Sequence, residues 1–339
     1  MNEISYAESL SLPDRVYIDV RSPSEFGADS VPGSVNIPLF DDAERREVGT
    51  LYRAAGREDA VMRGTEIAGA KLKELVGAFL DYRDRNMVIL CARGGMRSSS
   101  LASLLASLGL SVYRLRDGYR GYRRHVFDRI GAMTMPAPLY VLQGLTGTGK
   151  TEILRALPNS IDLEQMAGHR SSVFGGIGLV PVTQKRFESL IVERLDALVG
   201  APWILVEGES RKIGDLHMPE RLHEMMQSAP VILIEAPMRR RQQILYEEYH
   251  GHCDDENIPS IVRGLTSRLG KKQVEELLEI YTRGELGEFI RIMLEKYYDP
   301  LYLHSLKEKK YIARIANLER DRTIREIRLA IENHLEGRP

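Results

Sequence analysis

The sequence predicts an α/β protein with two domains, the first built on a parallel sheet and the second an α/β domain with a helical C-terminal region. Two observations support this fold class. Short apolar runs of strand character alternate with stretches of helical periodicity, which is the pattern of a mostly parallel sheet. Pro136 and Pro138 interrupt regular structure midway along the chain. We therefore expect one domain over residues 1–135 and another over residues 136–339.

The composition is that of a folded chain without an overall charge preference. Hydrophobic residues make up 43% and charged residues 28% of the 339 residues, which argues against long disorder and allows two cores. The 47 basic and 48 acidic side chains nearly cancel, so a nucleic-acid partner would have to bind a local basic patch. No apolar run approaches the roughly 20 residues of a membrane helix, and the first residues lack the features of a signal peptide. We expect a cytoplasmic monomer without a membrane partner.

The apolar pattern places the elements of each domain. In the first domain we expect strands over residues 15–20, 87–90 and 111–115, a turn and short strand over 31–38, and helices from residue 22, over 66–82 and over 98–110. In the second domain we expect strands over 139–142, 203–206 and 231–235 and a helix over 152–157. Residues 260–334 are expected to be almost wholly helical, with Gly284 and Gly287 loosening the middle.

The strand at 87–90 ends in a loop that opens a helix, and this loop is the first candidate site. Its residues are Cys91, Ala92, Arg93, Gly94, Gly95, Met96, Arg97 and Ser98. Backbone N–H groups and the helix dipole favour an anion at such a junction, and they lower the pKa of a cysteine to roughly 3.5–7.5 in comparable settings. Arg93 and Arg97 add permanent positive charge. We predict that Cys91 and Arg97 are catalytic and that the rest of the loop holds an anion; the alternative is a buried structural cysteine.

The strand at 139–142 leads into the second candidate site, residues 144–151, which fit G-x-x-x-x-G-K-[ST] at every fixed position. Backbone N–H groups of such a loop surround a phosphate, and the lysine reaches the terminal phosphates. The residues expected to bind a diphosphate are Gly144, Thr146, Gly147, Thr148, Gly149, Lys150 and Thr151. A simple glycine-rich turn is the alternative. The hydroxyl of Thr151 is of the kind that ligates Mg²⁺, so the sequence is compatible with Mg²⁺ at this loop. No tightly bound cofactor and no dedicated metal site are predicted.

Charged residues follow the other strands of the second domain. Glu207 and Glu209 come after the strand at 203–206 and are candidates for the carboxylate that organises a metal or an attacking group; solvated loop acids are the alternative. The arginines at 239–241 are interpreted either as a mobile lid over the phosphates or as a solvated helix face. His250, His252 and Cys253 are of the kind that binds a soft metal, but no second pair of ligands lies near them, so no metal site is expected there.

The first 130 residues resemble a rhodanese domain. The resemblance is carried by residues 18–21, 31–38 and 117–119 and by Cys91 with its loop. It implies that the loop cysteine carries sulfur as a persulfide. Five residues separate Cys91 from Arg97, one more than is common in sulfur-carrying rhodaneses and the length seen in related phosphatases that bind a tetrahedral phosphate. Leu90 stands where those phosphatases have histidine, which argues against a phosphatase.

With both loops in view, the chain resembles the bacterial tRNA 2-selenouridine synthase family over nearly its whole length. Further shared stretches are 162–164, 169–175, 209–214, 247–249 and 297–302. They add His169, Arg170 and Arg211 to the candidate acid, metal or substrate residues.

The family resemblance implies a two-step reaction at the wobble uridine of tRNA. Geranyl diphosphate first alkylates the sulfur of 2-thiouridine, and selenium from selenophosphate then displaces the S-geranyl group. The implied partners are tRNA, geranyl diphosphate and selenophosphate, with a perselenide intermediate at Cys91, whose longer loop is expected to admit selenophosphate whole. The alternatives are a rhodanese-type sulfurtransferase coupled to nucleotide binding or hydrolysis, and a non-catalytic phosphate-sensing adaptor.

The tRNA surface is expected in the basic C-terminal region. Its candidates are Lys307, Lys309, Lys310, Arg314, Arg320, Arg322 and Arg325. Arg120, Arg123 and Arg124 in the first domain form the alternative patch. Runs of charge are often only solvated faces, so both assignments depend on what surrounds each side chain.

Overall fold

A computed structural model describes residues 2–252, 256–307 and 310–337 of the protein. The chain divides into two compact units. The first comprises Met1–Ala132 and Thr183–Glu193, and the second comprises Met133–Val182 and Arg194–Pro339. The predicted domains assigned Thr183–Glu193 to the second half, whereas this segment belongs to the first unit.

The first unit contains a parallel sheet of five strands among the described residues. The strands are β1 (Asn2–Ile4), β2 (Arg15–Asp19), β3 (Val35–Asn36), β4 (Asn86–Leu90) and β5 (Val112–Leu115). They lie in the order β1-β5-β4-β2-β3, and every neighbouring pair is parallel. The predicted α/β class with a parallel sheet is therefore confirmed, and β1 is an added edge strand that the polar start of the chain did not suggest.

Helices connect these parallel strands, as the crossover geometry requires. They are α1 (Tyr6–Ser9), α2 (Pro23–Ala28), α3 (Asp42–Ala54), α4 (Arg57–Ala70), α5 (Leu72–Leu80), α6 (Met96–Ser107) and α7 (Gly118–Gly131). The single helix expected over 66–82 was wrong, because the chain breaks at Lys71 between α4 and α5. Helix α3 was not expected, although Asp41 and Glu44 form a capping box at its start.

Strand β4 lies in the middle of the sheet and is buried on both faces. Met87 and Ile89 belong to one hydrophobic cluster, whereas Val88 and Leu90 belong to the other. A continuous apolar run is the sequence expected of such a strand. Cys91 follows directly, so the loop emerges from the most buried strand of this unit.

The second unit contains another parallel sheet and a separate antiparallel hairpin. The strands are β6 (Leu139–Gln143), β7 (Ser160–Ile161), β8 (Ile204–Glu207), β9 (Lys212–Ile213), β10 (Leu216–His217), β11 (Val231–Glu235) and β12 (Ala313–Ala316). The sheet order is β12-β11-β6-β8-β7, and β9 pairs with β10. Because β6 and β8 are parallel neighbours, the loop after β6 and the carboxyl end of β8 lie at the same edge.

The other regular elements described in this half of the chain are helices. They are α8 (Lys150–Arg155), α9 (Leu163–Ala167), α10 (Gln184–Ala197), α11 (Glu220–Ser228), α12 (Met238–Tyr249), α13 (Ile258–Gly264), α14 (Thr266–Leu269), α15 (Lys271–Thr282), α16 (Leu286–Met293), α17 (Asp299–Lys307) and α18 (Arg320–Leu335). A 3₁₀ turn occupies His250–His252, and a π-helical turn occupies Leu294–Tyr298. Among the described residues, no helix is long and apolar enough to cross a membrane.

The helical C-terminal region is confirmed with one correction, strand β12. This strand lies at the sheet edge beside β11, and Ile315 is its buried residue. An edge strand has a neighbour on one side only, so a short, mostly exposed stretch among charged helices carries little strand signal. It nevertheless places Asn317 at the edge where the β6 loop emerges.

Two candidate anion sites

The Cys91 loop (residues 91–98) is fixed by the start of α7. The amide of Tyr119 donates to the Cys91 carbonyl at 2.8 Å, and the amide of Arg120 donates to the Ala92 carbonyl at 3.0 Å. Gly94 has a positive φ of 62°, and a Cβ there would lie 3.1 Å from the Asp117 backbone nitrogen. Glycine is therefore required where the loop approaches the turn before α7.

A buried ion pair packs against Tyr119 at the start of α7. Arg21 makes a two-pronged contact with Asp19 and also donates to the Asp29 carbonyl at 2.7 Å. The Arg21 guanidinium stacks 3.9 Å from the centre of the Tyr119 ring. These residues carried the rhodanese resemblance, and their contacts are those of a scaffold for the loop.

The Cys91 thiol lies at the wall of an open cavity in the first unit. The residue is 3% exposed, and its Sγ lies 3.1 Å from the Ser98 hydroxyl and 3.8 Å from the Gly95 carbonyl oxygen. The arginines that line the same cavity are Arg45, Arg46, Arg53, Arg93 and Arg97. Cys91 is thus buried and also borders a basic cavity. Its burial is compatible with a structural cysteine and with a reactive one.

Arg97 is held by an acidic partner. Its Nη1 donates to Glu25 Oε2 at 2.8 Å, and Arg45 lies 3.4 Å from the same oxygen. Burial alone would raise the pKa of Glu25, but the hydrogen bond and charge of Arg97 outweigh it and hold that pKa below 4.5. The three basic residues of α3 were missed because α3 itself was not expected. Glu25 was missed because its partner Arg97 lies 72 residues away in the sequence.

The P-loop (residues 144–151) connects β6 to α8. Gly149 has a φ of 88°, and a Cβ there would lie 2.4 Å from the Asn317 side-chain nitrogen. Lys150 Nζ donates to the Gly144 carbonyl at 2.9 Å, and the Thr148 hydroxyl donates to the Leu145 carbonyl at 2.8 Å. The loop and its lysine therefore curl round a small cavity, as a phosphate cradle requires.

Residues distant in sequence brace this loop. Asn317 donates to the Thr148 carbonyl at 2.8 Å, and its own Oδ1 accepts from Thr323 at 3.0 Å. Arg241 donates to the Thr146 carbonyl at 2.8 Å and pairs with Asp299 at 2.6 Å. Arg241 is 4% exposed, so both interpretations of it, a mobile lid and a solvated face, were wrong.

Three carboxylates form a cluster at the same edge of the sheet: Glu164, Glu207 and Glu209, which present oxygens within 4.8 Å of one another. Glu207 is fully buried, so the alternative of a solvated loop acid is wrong for it. Its Oε1 accepts from the Glu164 amide at 2.7 Å, and its Oε2 is buried without a partner among the described residues. Burial and the neighbouring carboxylates raise the pKa of Glu207 well above 4.5.

The carboxylate cluster has the donor set of a hard divalent cation. Burial, followed by the charge of Glu209, raises the pKa of Glu164 to about 7, against the opposing effects of the Ser171 amide and Lys150. Crowded oxygens with an unpartnered buried atom suit Mg²⁺, which binds carboxylates beside phosphates. Glu164 and Glu209 also line the P-loop cavity, so a Mg²⁺ ion held there would neutralise phosphate charge.

Of the other predicted site residues in this unit, only some lie in the P-loop cavity. Arg170 lines the P-loop cavity, but it is tied to Glu248 at 2.5 Å and stacks on the Tyr249 ring at 4.8 Å. His169 and Arg211 are not brought into this cavity. His169 lines a neighbouring pocket, and Arg211 is exposed and lies 3.7 Å from Glu220.

Among the residues of the P-loop cavity that were missed are Gln143 and Glu164. Gln143 lines it with a buried Oε1 that has no partner among the described residues, and Glu164 joins the cluster. The shared stretch 162–164 contained the signal for Glu164.

Acidic neighbours engage much of both predicted tRNA patches. Arg320 pairs with Asp321 at 3.0 Å, Arg322 with Glu326 at 2.7 Å, and Arg314 lies 3.8 Å from Glu235. In the alternative patch, Arg123 pairs with Glu188 at 2.5 Å. The described part of the chain excludes Lys309, the side chain of Lys307 and Cys253.

Known proteins resemble both units of the chain. The family described as "tRNA 2-selenouridine synthase AAA domain" matches residues 137–329, and the one described as "Rhodanese-like domain" matches residues 5–125. The tRNA 2-selenouridine synthase of Shewanella loihica is 33% identical, covering 86% of this chain and 87% of that protein. Proteins of the same name from Pseudomonas syringae pv. tomato and Shewanella pealeana are 31% and 32% identical, covering 89% and 87% of this chain and 91% and 90% of theirs. The chain belongs to the tRNA 2-selenouridine synthase family.

Proposed function

We propose that this protein modifies tRNA, converting 2-thiouridine to 2-selenouridine through an S-geranyl intermediate. Geranyl diphosphate and selenophosphate are the proposed substrates. The observation that carries the proposal is that a member of this family presents a P-loop beside a carboxylate cluster in one unit and a thiol in an arginine-lined cavity in the other. The first arrangement suits a diphosphate, and the second suits a soft nucleophile with a tetrahedral anion.

The first step is alkylation at sulfur. The 2-thiouridine sulfur attacks C1 of the geranyl group, the C1–O bond breaks, and diphosphate leaves with the bonding electrons while the uridine loses its N3 proton. Negative charge grows on the diphosphate, where Lys150 and the backbone N–H groups of the P-loop stabilise it. When bound at the carboxylate cluster, Mg²⁺ supplies further charge neutralisation.

The second step replaces sulfur with selenium. An S-alkyl group is a better leaving group than a thiocarbonyl sulfur, so a selenium nucleophile can add at C2 of the base and expel geranyl thiolate. Selenophosphate supplies the selenium, and water takes the phosphoryl group to give phosphate. We propose that the Cys91 thiol contacts the selenium atom. Arg97 and the backbone of the Cys91 loop bind the tetrahedral anion.

Mass spectrometry of tRNA nucleosides tests this function directly. Purified protein is incubated with 2-thiouridine tRNA and geranyl diphosphate, and selenophosphate is then added. We expect S-geranyl-2-thiouridine after the first addition and 2-selenouridine after the second. A protein that leaves both masses unchanged but hydrolyses ATP or transfers sulfur from thiosulfate would instead be the nucleotide-coupled sulfurtransferase.

A further inference from the structure

An apolar pocket lies beside the P-loop cavity in the second unit. Its wall is almost wholly hydrocarbon and aromatic, and among its residues are Phe174, Ile177, Leu245, Phe289, Ile290 and Met293. Leu245 comes from α12 and the last three come from α16, both within the helical part of this unit. A pocket of this composition binds hydrocarbon and leaves polar ligand groups without partners.

The pocket and the P-loop cavity adjoin each other. Thr146, Ser172, Leu245 and Tyr249 line both. Thr146 belongs to the P-loop itself, and Leu245 Cγ lies 3.1 Å from the position that a Cβ on Gly147 would occupy. The apolar wall therefore begins where the phosphate loop ends.

A single ligand that fills both spaces joins a multiply charged head to an apolar tail. A nucleotide does not match, because its ribose and base carry donors and acceptors that the apolar pocket leaves unpaired. We infer that this pocket holds the hydrocarbon chain of the diphosphate substrate and that Phe289 and Ile290 limit the length of that chain. The inference rests on the proposed function for the reaction, but it concerns where the substrate binds.

Phe289 and Ile290 are placed to set chain length. Both line the apolar pocket without lining the P-loop cavity, so they border the part that a longer chain would enter. Phe289 is 7% exposed, and its ring centre lies 6.0 Å from that of Phe174, which it meets edge-on, and 5.9 Å from that of Tyr281. Ile290 is only half-buried, which leaves room for a larger side chain.

The test compares chain-length preference in full-length variants. Wild-type protein, Phe289→Leu and Ile290→Trp react with 2-thiouridine tRNA and a mixture of dimethylallyl, geranyl and farnesyl diphosphates. Ile290→Trp should lower the geranyl-to-dimethylallyl ratio by about tenfold or more, and Phe289→Leu should raise the farnesyl-to-geranyl ratio. Ile292→Val is the matched control, because Ile292 is buried on the same helix but does not line the pocket.

Unchanged ratios in both lining variants would overturn the inference. If Ile290→Trp fails to fold, the ratio measured with Phe289→Leu is the deciding result. Calorimetry separates the inference from the reaction, because binding needs no turnover. If no prenyl diphosphate alkylates tRNA, the proposed function fails. The pocket assignment then stands if geranyl diphosphate binds at least about tenfold more tightly than inorganic diphosphate and Ile290→Trp removes the difference. Equal affinity of the two ligands for the wild-type protein refutes it.

Discussion

The Cys91 loop and the P-loop use the same backbone arrangement and differ in the side chains around it. Each follows a buried central strand of a parallel sheet and opens a helix. Five arginines and two acids, Glu25 and Asp42, line the cavity beside the thiol, whereas three carboxylates lie close together beside Lys150. The backbone of each loop has the form that suits an anion, and the neighbouring charges differ between the two loops, so we expect them to support different anions and different chemistry.

Cys91→Ser should produce the largest effect and tests whether the two loops carry out different steps. The hydroxyl keeps the shape of the loop but stays protonated and is a poor partner for selenium, so we expect 2-selenouridine to fall to background. S-geranyl-2-thiouridine should accumulate, because alkylation uses only the P-loop. Nucleoside mass spectrometry measures both products, with Ser100→Ala on the exposed side of α6 as the control. Normal 2-selenouridine in the variant would mean that selenophosphate reacts with tRNA directly.

Lys150→Ala should produce the opposite defect. Its ammonium neutralises the leaving diphosphate, and loss of one such preorganised donor typically costs about 10²–10³ in rate. S-geranylation should fall by that factor while selenation of tRNA that already carries the S-geranyl group continues. Lys212→Ala is the control, since Lys212 is exposed and lies 3.3 Å from Asp215. If the variant alkylates at the wild-type rate, the diphosphate does not bind in the P-loop.

Both loops were recognisable from sequence because their chemistry is contiguous. Strand, glycines and charged residues follow one another within ten residues, so local pattern alone identified 91–98 and 144–151. The bracing residues come from elsewhere in the chain. Asn317, directly after the edge strand β12, donates to Thr148, and Arg241 of α12 donates to Thr146. No local pattern reveals such contacts, which exist only after the sheet has assembled.

The same limit applied to the charges around each loop. Glu207 and Glu209 were found because they follow an apolar strand directly, but Glu164 joins them from the start of α9. Glu25 comes from α2 and Arg45 from α3. Helix α3 was not predicted, and none of its residues is fully buried. The sequence therefore predicted two candidate anion loops but did not predict the electrostatic difference between them.

The reactions at the two loops should differ in their dependence on Mg²⁺. We expect removal of Mg²⁺ to slow S-geranylation by about tenfold or more and to leave selenation of pre-geranylated tRNA unchanged. Mg²⁺ should also raise the Tm of the protein, more at pH 8 than at pH 6, because Glu164 with a pKa of about 7 must ionise to bind it.

Glu207→Gln tests whether the carboxylate cluster is the source of this metal response. The variant should lose the effect of Mg²⁺ on Tm. Without metal at pH 8 it should be as stable as the wild type or more so, since ionising a buried carboxyl of raised pKa costs stability as pH increases. Glu220→Gln, an exposed change on α11, is the control. An intact Tm response in Glu207→Gln would place any Mg²⁺ outside the cluster.

Arg97→Ala should give the smallest effect, because Arg97 is already paired. A free charge-assisted contact with the anion would contribute about 1.5–3 kcal/mol, but Glu25 shares the guanidinium, so we expect less than about tenfold loss in selenation. Stability gives a second measurement. The folded-state pKa of Glu25 is depressed, so its ionised form stabilises the fold above about pH 4.5, and that stabilisation is lost as pH falls through the lowered pKa. The Tm difference between wild type and Arg97→Ala should therefore be largest at pH 7 and shrink below pH 4.5, whereas a pH-independent difference would show that Arg97 supports the loop by packing alone.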